Sequence, residues 1–362
     1  MPALRNWFGR AGADAGAAVS REDVVTAFRA MLGRDPESDR AIAFHRTHAT
    51  LGNLYAALAE SAEYRQRAGK GPERPFHQRI DAAAIIRRYE DPQRTARPGH
   101  VVNFQGVAIN VRFAPEYERW RGLVTELPIP CNFHADMSEW AAALRAVDLA
   151  QDRFMMIELG CGWGCWMTAT AFAARKRGLP LHVAGVEGDP GHCDMAREAF
   201  ATNGISPSEY TLHQGIAAEK AGTALFPKPD PEGKDWGYEP IFDSRSPAYA
   251  QALASGRYDE IKIVPLSLVI GDRARVDLLH VDIQGGEADL VRDCLDLLDR
   301  KVAYMVIGTH SRPIEGRLME MLLGAGWILE IEQPACIDLN PQPPATRADG
   351  VQAWRNPRLA RG

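Results

Sequence analysis

The chain has 362 residues, 46% hydrophobic and 25% charged, the balance of a soluble globular protein with apolar material for about two domains. Its formal net charge of -5 argues against tight, charge-driven binding of nucleic acid. Six cysteines, Cys131, Cys161, Cys165, Cys193, Cys294 and Cys336, lie scattered along a long chain and read as reduced thiols, not a disulfide framework.

From the N-terminus, Met1 to Ser20 holds no apolar run of signal-peptide length. No later segment approaches the ~20 apolar residues of a membrane helix, so a cytoplasmic protein without a membrane span is expected. Residues 18–68 then read as a helical accessory domain. Ser20 and Asp23 form a capping pair, and Val24, Val25, Phe28, Met31 and Leu32 share one helical face. Gly33-Arg34-Asp35-Pro36 ends that helix, and Leu51, Leu54 and Leu58 make a second apolar stripe. The run Ala27 to Pro36, with Ser61, Glu63 and Tyr64, resembles a short helical domain that accompanies bacterial glycosyltransferases and is itself similar to phycobilisome linker domains. That resemblance implies docking to glycan-assembly proteins.

Residues 69–130 begin with the Gly- and Pro-rich run Gly69 to Pro75 and are expected to be a linker and β-hairpin lead-in. Val101 to Phe113 alternates as a strand pair would, with Gly106 at the turn. His134, Asp136 and Glu139 follow, and Asp136 with Glu139 reads as a cap for the helix at Trp140.

Residues 131–362 alternate strands and helices. Strands are expected at Phe154–Leu159, Leu181–Glu187, Tyr210–His213, Val276–Asp282 and Val302–Gly308, with helices between, and Trp327–Glu332 with Val351–Trp354 as a closing antiparallel pair. The pattern is that of an α/β fold: a mostly parallel sheet with helices on both faces. The interval from Phe226 to Tyr258 lacks regular pattern and carries Trp236, Tyr238 and Phe242, as a lid over a pocket or a surface insertion would.

The sharpest motif is Glu158-Leu159-Gly160-Cys161-Gly162-Trp163-Gly164, at the junction of a strand and a helix. A dinucleotide loop needs G-x-G-x-x-G, but its third glycine would fall at Cys165. The G-x-G-x-G spacing, preceded by a carboxylate, suits a phosphate-free cofactor with a cationic end and a ribose diol, S-adenosyl-L-methionine. Glu187 ends the next strand, where a carboxylate can accept both ribose hydroxyls. The expected cofactor residues are Glu158, Gly160, Cys161, Gly162, Gly164, Glu187 and Asp282.

After the fourth strand, Asp282, Gln284, Gly285 and Glu287 match the Asp-x-Gln-Gly-x-Glu stretch of the FkbM family of methyltransferases, which the segment Ile157 to Leu323 resembles. His280 stands where that family commonly has lysine, and Ser267 where it often has aspartate. The resemblance implies a Rossmann-like class I methyltransferase sheet and O-methylation of a sugar, a glycoconjugate precursor or another small-molecule hydroxyl. A hydroxyl is a poor nucleophile, so a general base helps; His310 or Asp282 is the candidate, with Glu287 capping its helix or binding loop backbone. A natural-product O-methyltransferase and a non-catalytic scaffold are the alternatives. No metal is assigned: Cys161 and Cys165 have no second pair, and spacing does not gather His134, Asp136, Asp282 and His310.

Overall fold

The computed structural model describes residues 19–32, 34–61, 63–64, 76–229, 233 and 236–360. The chain divides into two compact units, Met1–Arg74 and Pro75–Gly362.

In the first unit, Ser20 and Asp23 exchange backbone-to-side-chain hydrogen bonds of 2.9 and 3.1 Å and start helix α1 (Arg21–Leu32). Ser38 and Thr50 cap α2 (Asp39–His45) and α3 (Leu51–Glu60), their side chains accepting the N–H groups of Ala41 and Asn53. Val24, Phe28 and Leu32 pack with Ile42, Leu54 and Leu58 into a small core. Leu51 leaves the expected stripe: it is 40% exposed, because it opens α3 before the helix turns its apolar face inward. Arg34 grips Glu63 through two bonds of 2.6 and 2.7 Å. Gly33 and Ala62 lie outside the described residues.

The second unit holds an eight-stranded sheet. Its strands are β1 (His77–Gln78), β4 (Phe154–Leu159), β5 (Leu181–Glu187), β6 (Tyr210–Gln214), β10 (Leu278–Val281), β11 (Tyr304–Thr309), β12 (Ile328–Gln333) and β15 (Gly350–Arg355). The order is β1-β12-β15-β11-β10-β4-β5-β6. The five strands from β11 to β6 are parallel, and β15, β12 and β1 are antiparallel additions.

Both faces are covered, and strand alternation shows why. In β4, Phe154 and Met156 enter one apolar core, while Met155, Ile157 and Leu159 enter the other. The first core is filled by α4 (Ala82–Arg88), α5 (Met137–Leu149), α6 (Cys165–Lys176) and α7 (Pro190–Thr202). The second takes α9 (Leu266–Ile270), α10 (Glu287–Lys301) and α11 (Arg312–Gly324). A strand buried on both faces reads as a continuous apolar run, as β4 does.

Two segments differ from expectation, the lead-in and the interval from Phe226 to Tyr258. The Gly69–Pro75 run lies outside the described residues, but the rest of the expected lead-in is built into the larger unit. Strand β1 pairs with β12, Asp81 caps α4 through the Ala84 N–H, and Ile85, Ile86 and Phe104 enter the first core. The hairpin is present as β2 (His100–Val102) and β3 (Ala108–Asn110), its turn gathered by Asn103, whose side chain accepts from the N–H groups of Gln105 and Val107. The interval from Phe226 to Tyr258 is not patternless. It contains α8 (Pro247–Ala254), capped by Ser246, and connects β8 (Gly222–Pro227) to β9 (Tyr258–Pro265), which with β7 (Ile216–Ala218) form a separate three-stranded sheet, while β13 (Cys336–Asp338) and β14 (Ala345–Ala348) form an antiparallel pair. Among the described residues no helix is long and apolar enough to cross a membrane.

Candidate active site

The strand order reverses at β4: β5 lies on one side and β10 on the other, and such a switch point opens a crevice at the carboxyl ends of the strands. A cleft of about 390 Å³ occupies it.

The loop after β4 fixes one wall. The N–H groups of Gly160 and Cys161 both donate to the Val186 carbonyl of β5, at 2.9 and 3.2 Å. Gly160 has φ +75°, and a Cβ there would sit 1.9 Å from the Asp282 carbonyl oxygen. Only glycine lets the loop lie this close to the end of β10. Next, Gly162 donates its N–H to Glu187 Oε2 at 2.8 Å, while Glu187 Oε1 accepts from Asp189 N–H at 2.9 Å. A Cβ on Gly162 would strike the Trp236 ring at 2.8 Å. Trp236 stacks on His192 with ring centroids 3.9 Å apart. The aromatic segment Trp236 to Pro240 therefore does border the cleft, as Tyr238 does beside Phe226.

Beneath the loop is a buried charge cluster. Glu158 accepts the Met167 N–H at 3.1 Å, satisfying an orphan donor at the start of α6. Burial pushes its carboxyl up to about 8, against the opposing pull of His280. His280 lies 3.9 Å from Glu158 Oε1 and 3.0 Å from Glu139 Oε1. Burial lowers the His280 imidazole, but the Glu139 hydrogen bond and the charges of Glu158 and Asp282 outweigh it, so its proton affinity is raised.

A second chain of charges holds the end of β10. His310 Nε2 is 3.2 Å from Asp282 Oδ1, and His310 Nδ1 is 2.9 Å from Glu287 Oε1. Glu287 is fully buried and also accepts the N–H groups of Ile283 and Gly285, at 3.2 and 3.0 Å. It therefore binds loop backbone, one of its two expected roles. Burial pulls His310 down, but its two carboxylate partners push it up to about 10. Burial likewise raises Asp282, but His310 prevails and holds it below the usual carboxylate value.

Six expected cofactor residues, Glu158, Gly160, Cys161, Gly162, Glu187 and Asp282, line the one cleft. Gly164 and His310 do not. Gly164 makes room for the Phe200 ring, which a Cβ would meet at 2.9 Å, so its place is packing between α6 and α7. His310 lies behind Asp282 with both ring nitrogens against carboxylates, which leaves neither free to take a proton from a substrate in this arrangement.

The His134, Asp136 and Glu139 cluster separates. Asp136 occupies the N-cap position of α5 but makes no capping bond with its side chain; Gln333 Nε2 donates to it at 3.0 Å. His134 pairs with the Tyr117 hydroxyl at 2.9 Å beside Trp163 and Trp166. Burial, reinforced by the nearby His280 charge, lowers it to about 4, so it is neutral. Among the described residues the compact donor group is Asp282, Glu287 and His310, within 4.8 Å of one another. The Cys161 and Cys165 thiols are raised well above their usual range by burial.

Sequence reasoning missed the aromatic wall of Tyr117, Phe133, Trp163 and Trp166, and it missed His192 and His280. His280 did carry a signal: a polar residue inside the apolar run Leu278 to Val281 needs a buried partner.

No family model matches the chain. A protein of Jannaschia sp. (strain CCS1) described as "Putative methyltransferase" is 41% identical over 275 residues, which span 76% of this chain and 98% of that one. Among solved structures, methyltransferase FkbM from Methylobacillus flagellatus is similar at 13% identity and a TM-score of 0.39, over 60% of this chain and 54% of that one. A protein of the NADB-Rossmann superfamily from Streptococcus agalactiae is similar at 11% identity and a TM-score of 0.31, over 59% and 67% of the two chains. Both structural likenesses are too distant to bear on function.

Proposed function

The chain belongs to the methyltransferase family of its Jannaschia relative, and from that premise we propose that it is an O-methyltransferase of the FkbM type, transferring a methyl group from S-adenosylmethionine to a hydroxyl of a sugar or glycoconjugate precursor. The observation that carries the reading is the meeting of the glycine loop, Glu187 and Asp282 in one cleft at the switch point.

The residues present fit the cofactor. Gly160 and Gly162 let the loop press against the Asp282 backbone and the Trp236 ring at the cleft wall, and Glu187 still has lone pairs for a ribose diol after accepting two backbone N–H groups. Acidic walls suit a ligand of net positive charge. When bound, S-adenosylmethionine supplies a methyl group on a sulfonium, ready for in-line displacement. The chain's own work is to hold the acceptor hydroxyl in line and receive its proton.

Asp282 is the proton acceptor in this reading. It lines the cleft and is 40% exposed. The hydroxyl becomes strongly acidic as the new C–O bond forms, so a carboxylate that stays ionised is a sufficient base. His310 is a positioning residue: its charge keeps Asp282 ionised, and its bond to Glu287 fixes the ring. The N-terminal helical unit, by its resemblance, serves as a docking module for glycan-assembly proteins.

The test is transfer of labelled methyl groups from S-adenosylmethionine to a panel of glycosides. We expect the wild type to label at least one glycoside and Asp282→Asn to lower kcat by about 10²-fold or more, the usual scale for a lost general base. Full activity of Asp282→Asn removes the base assignment. Labelling of phenolic or macrocyclic hydroxyls alone removes the sugar acceptor. His310→Gln should move the acid limb of the pH–rate profile upward, because loss of the cation raises Asp282.

A further inference from the structure

The cleft has a one-sided charge inventory. Five carboxyl groups line it, Glu116, Glu139, Glu158, Glu187 and Asp282, of which burial keeps Glu158 mostly protonated at neutral pH. Among the described residues, no lysine or arginine does. Lys228, two residues past Phe226, is committed to Asp259 at 3.1 Å, and Lys234 lies outside the described residues.

The histidines leave no free cation on the acceptor side: His310, behind Asp282, is held between two carboxylates, Asp282 and Glu287. His280 is consumed by Glu139 and Glu158. His134 is neutral and bonded to Tyr117. In the proposed reaction Glu187 faces the cofactor. Asp282 and the exposed Glu116 then remain for the acceptor, beside the rings of Tyr117, Phe133 and Trp163.

An anion brought into this space would meet carboxylates and aromatic faces. Both repel it, because the faces of aromatic rings carry the negative part of the quadrupole. A neutral polyol meets hydrogen-bond acceptors and apolar surface, and an ammonium group gains cation–π attraction.

We propose that the acceptor ring is uncharged or cationic, and that rings bearing phosphate, sulfate, carboxylate or a nucleotide diphosphate are rejected, with Glu116 a specificity residue at the mouth. This rests on the methyl-transfer reading of the same cleft. It also orders the reaction: a sugar is methylated before phosphorylation or nucleotide activation, or after transfer away from the nucleotide.

The experiment compares matched acceptors: neutral methyl glycosides, aminoglycosides, glycuronides and sugar phosphates, with phenols carrying the same charges. Initial rates are followed with labelled S-adenosylmethionine. Neutral and amino members should exceed their anionic counterparts in kcat/KM by about tenfold or more, since like charges in a partly desolvated cleft repel strongly. Glu116→Lys should narrow the gap by raising the anionic members, with cofactor affinity unchanged. An anionic member as good as its neutral counterpart overturns the proposal. Turnover of neutral phenols but no glycosides removes the sugar reading and leaves the charge rule supported. Calorimetric titration of the S-adenosylhomocysteine complex gives a readout without turnover: a sugar phosphate that binds as tightly as the neutral sugar overturns the rule, and selective binding of the neutral sugar supports it.

Discussion

Replacing His310 by Gln tests the ion pairs that fasten the end of β10 to α10. The imidazole is 15% exposed, 3.2 Å from Asp282 and 2.9 Å from Glu287. Burial opposes its charge, yet its pKa is raised from 6.5 to about 10 by the two carboxylates. A folded value above the unfolded one means the stabilisation is fully present below about pH 6.5 and is lost as pH rises through about 10. At ~1.4 kcal/mol per pH unit, that gap sets a ceiling of ~5 kcal/mol. Asp282 is 40% exposed, so water screens its share, and ~2–3 kcal/mol is the expected contribution. Urea unfolding between pH 6 and 10 measures it by linear extrapolation. The wild type should lose ~2–3 kcal/mol more than His310→Gln across that range. Glu158, raised from 4.5 to about 8, costs both proteins stability as pH climbs between those values, so the difference between the two isolates His310. Parallel curves would refute the reasoning. If the variant does not fold, titration of the wild-type imidazole by NMR decides instead, and a midpoint near 6.5 has the same meaning.

Two glycines of one motif should behave differently. Gly160→Ala should abolish cofactor binding in calorimetry, since its Cβ falls 1.9 Å from the Asp282 carbonyl at φ +75°. Gly164→Ala, whose Cβ meets the Phe200 ring at 2.9 Å and sits at φ +76°, should cost ~1–3 kcal/mol of stability with cofactor affinity retained. His280→Leu removes the buried cation bonded to Glu139 and should destabilise the fold by ~3 kcal/mol near pH 6 in urea unfolding, with the penalty shrinking toward alkaline pH as the raised imidazole loses its proton. A constant penalty across that range contradicts the ion-pair account.

Where structure follows chain order, the sequence was readable. The apolar runs of β4, β5, β10 and β11 and the glycine spacing between β4 and α6 are local patterns, and they located the cleft. Pairings across long separations were not readable. Glu139 and His280 are 141 residues apart, and no spacing rule joins them. Asp282 and His310 are expected to face one crevice; that His310 instead lies behind the carboxylate and bridges to Glu287 depends on the register of β11 against β10. Gly164 belongs to the same periodic motif, and its neighbour on α7, Phe200, is set by tertiary packing that no local pattern carries. Helix α8 did have a local mark, Ser246 followed by Pro247, which the surrounding prolines and aromatics obscured.

The central claim is that this cleft binds S-adenosylmethionine through the glycine loop and Glu187. Calorimetric titration of the wild type and of Glu187→Ala tests it most directly. Saturable micromolar-range binding, weakened in the variant by ~1–3 kcal/mol, is the predicted result, on the scale of hydrogen bonds to a charged group. No binding by the wild type, or equal binding by both proteins, would contradict it.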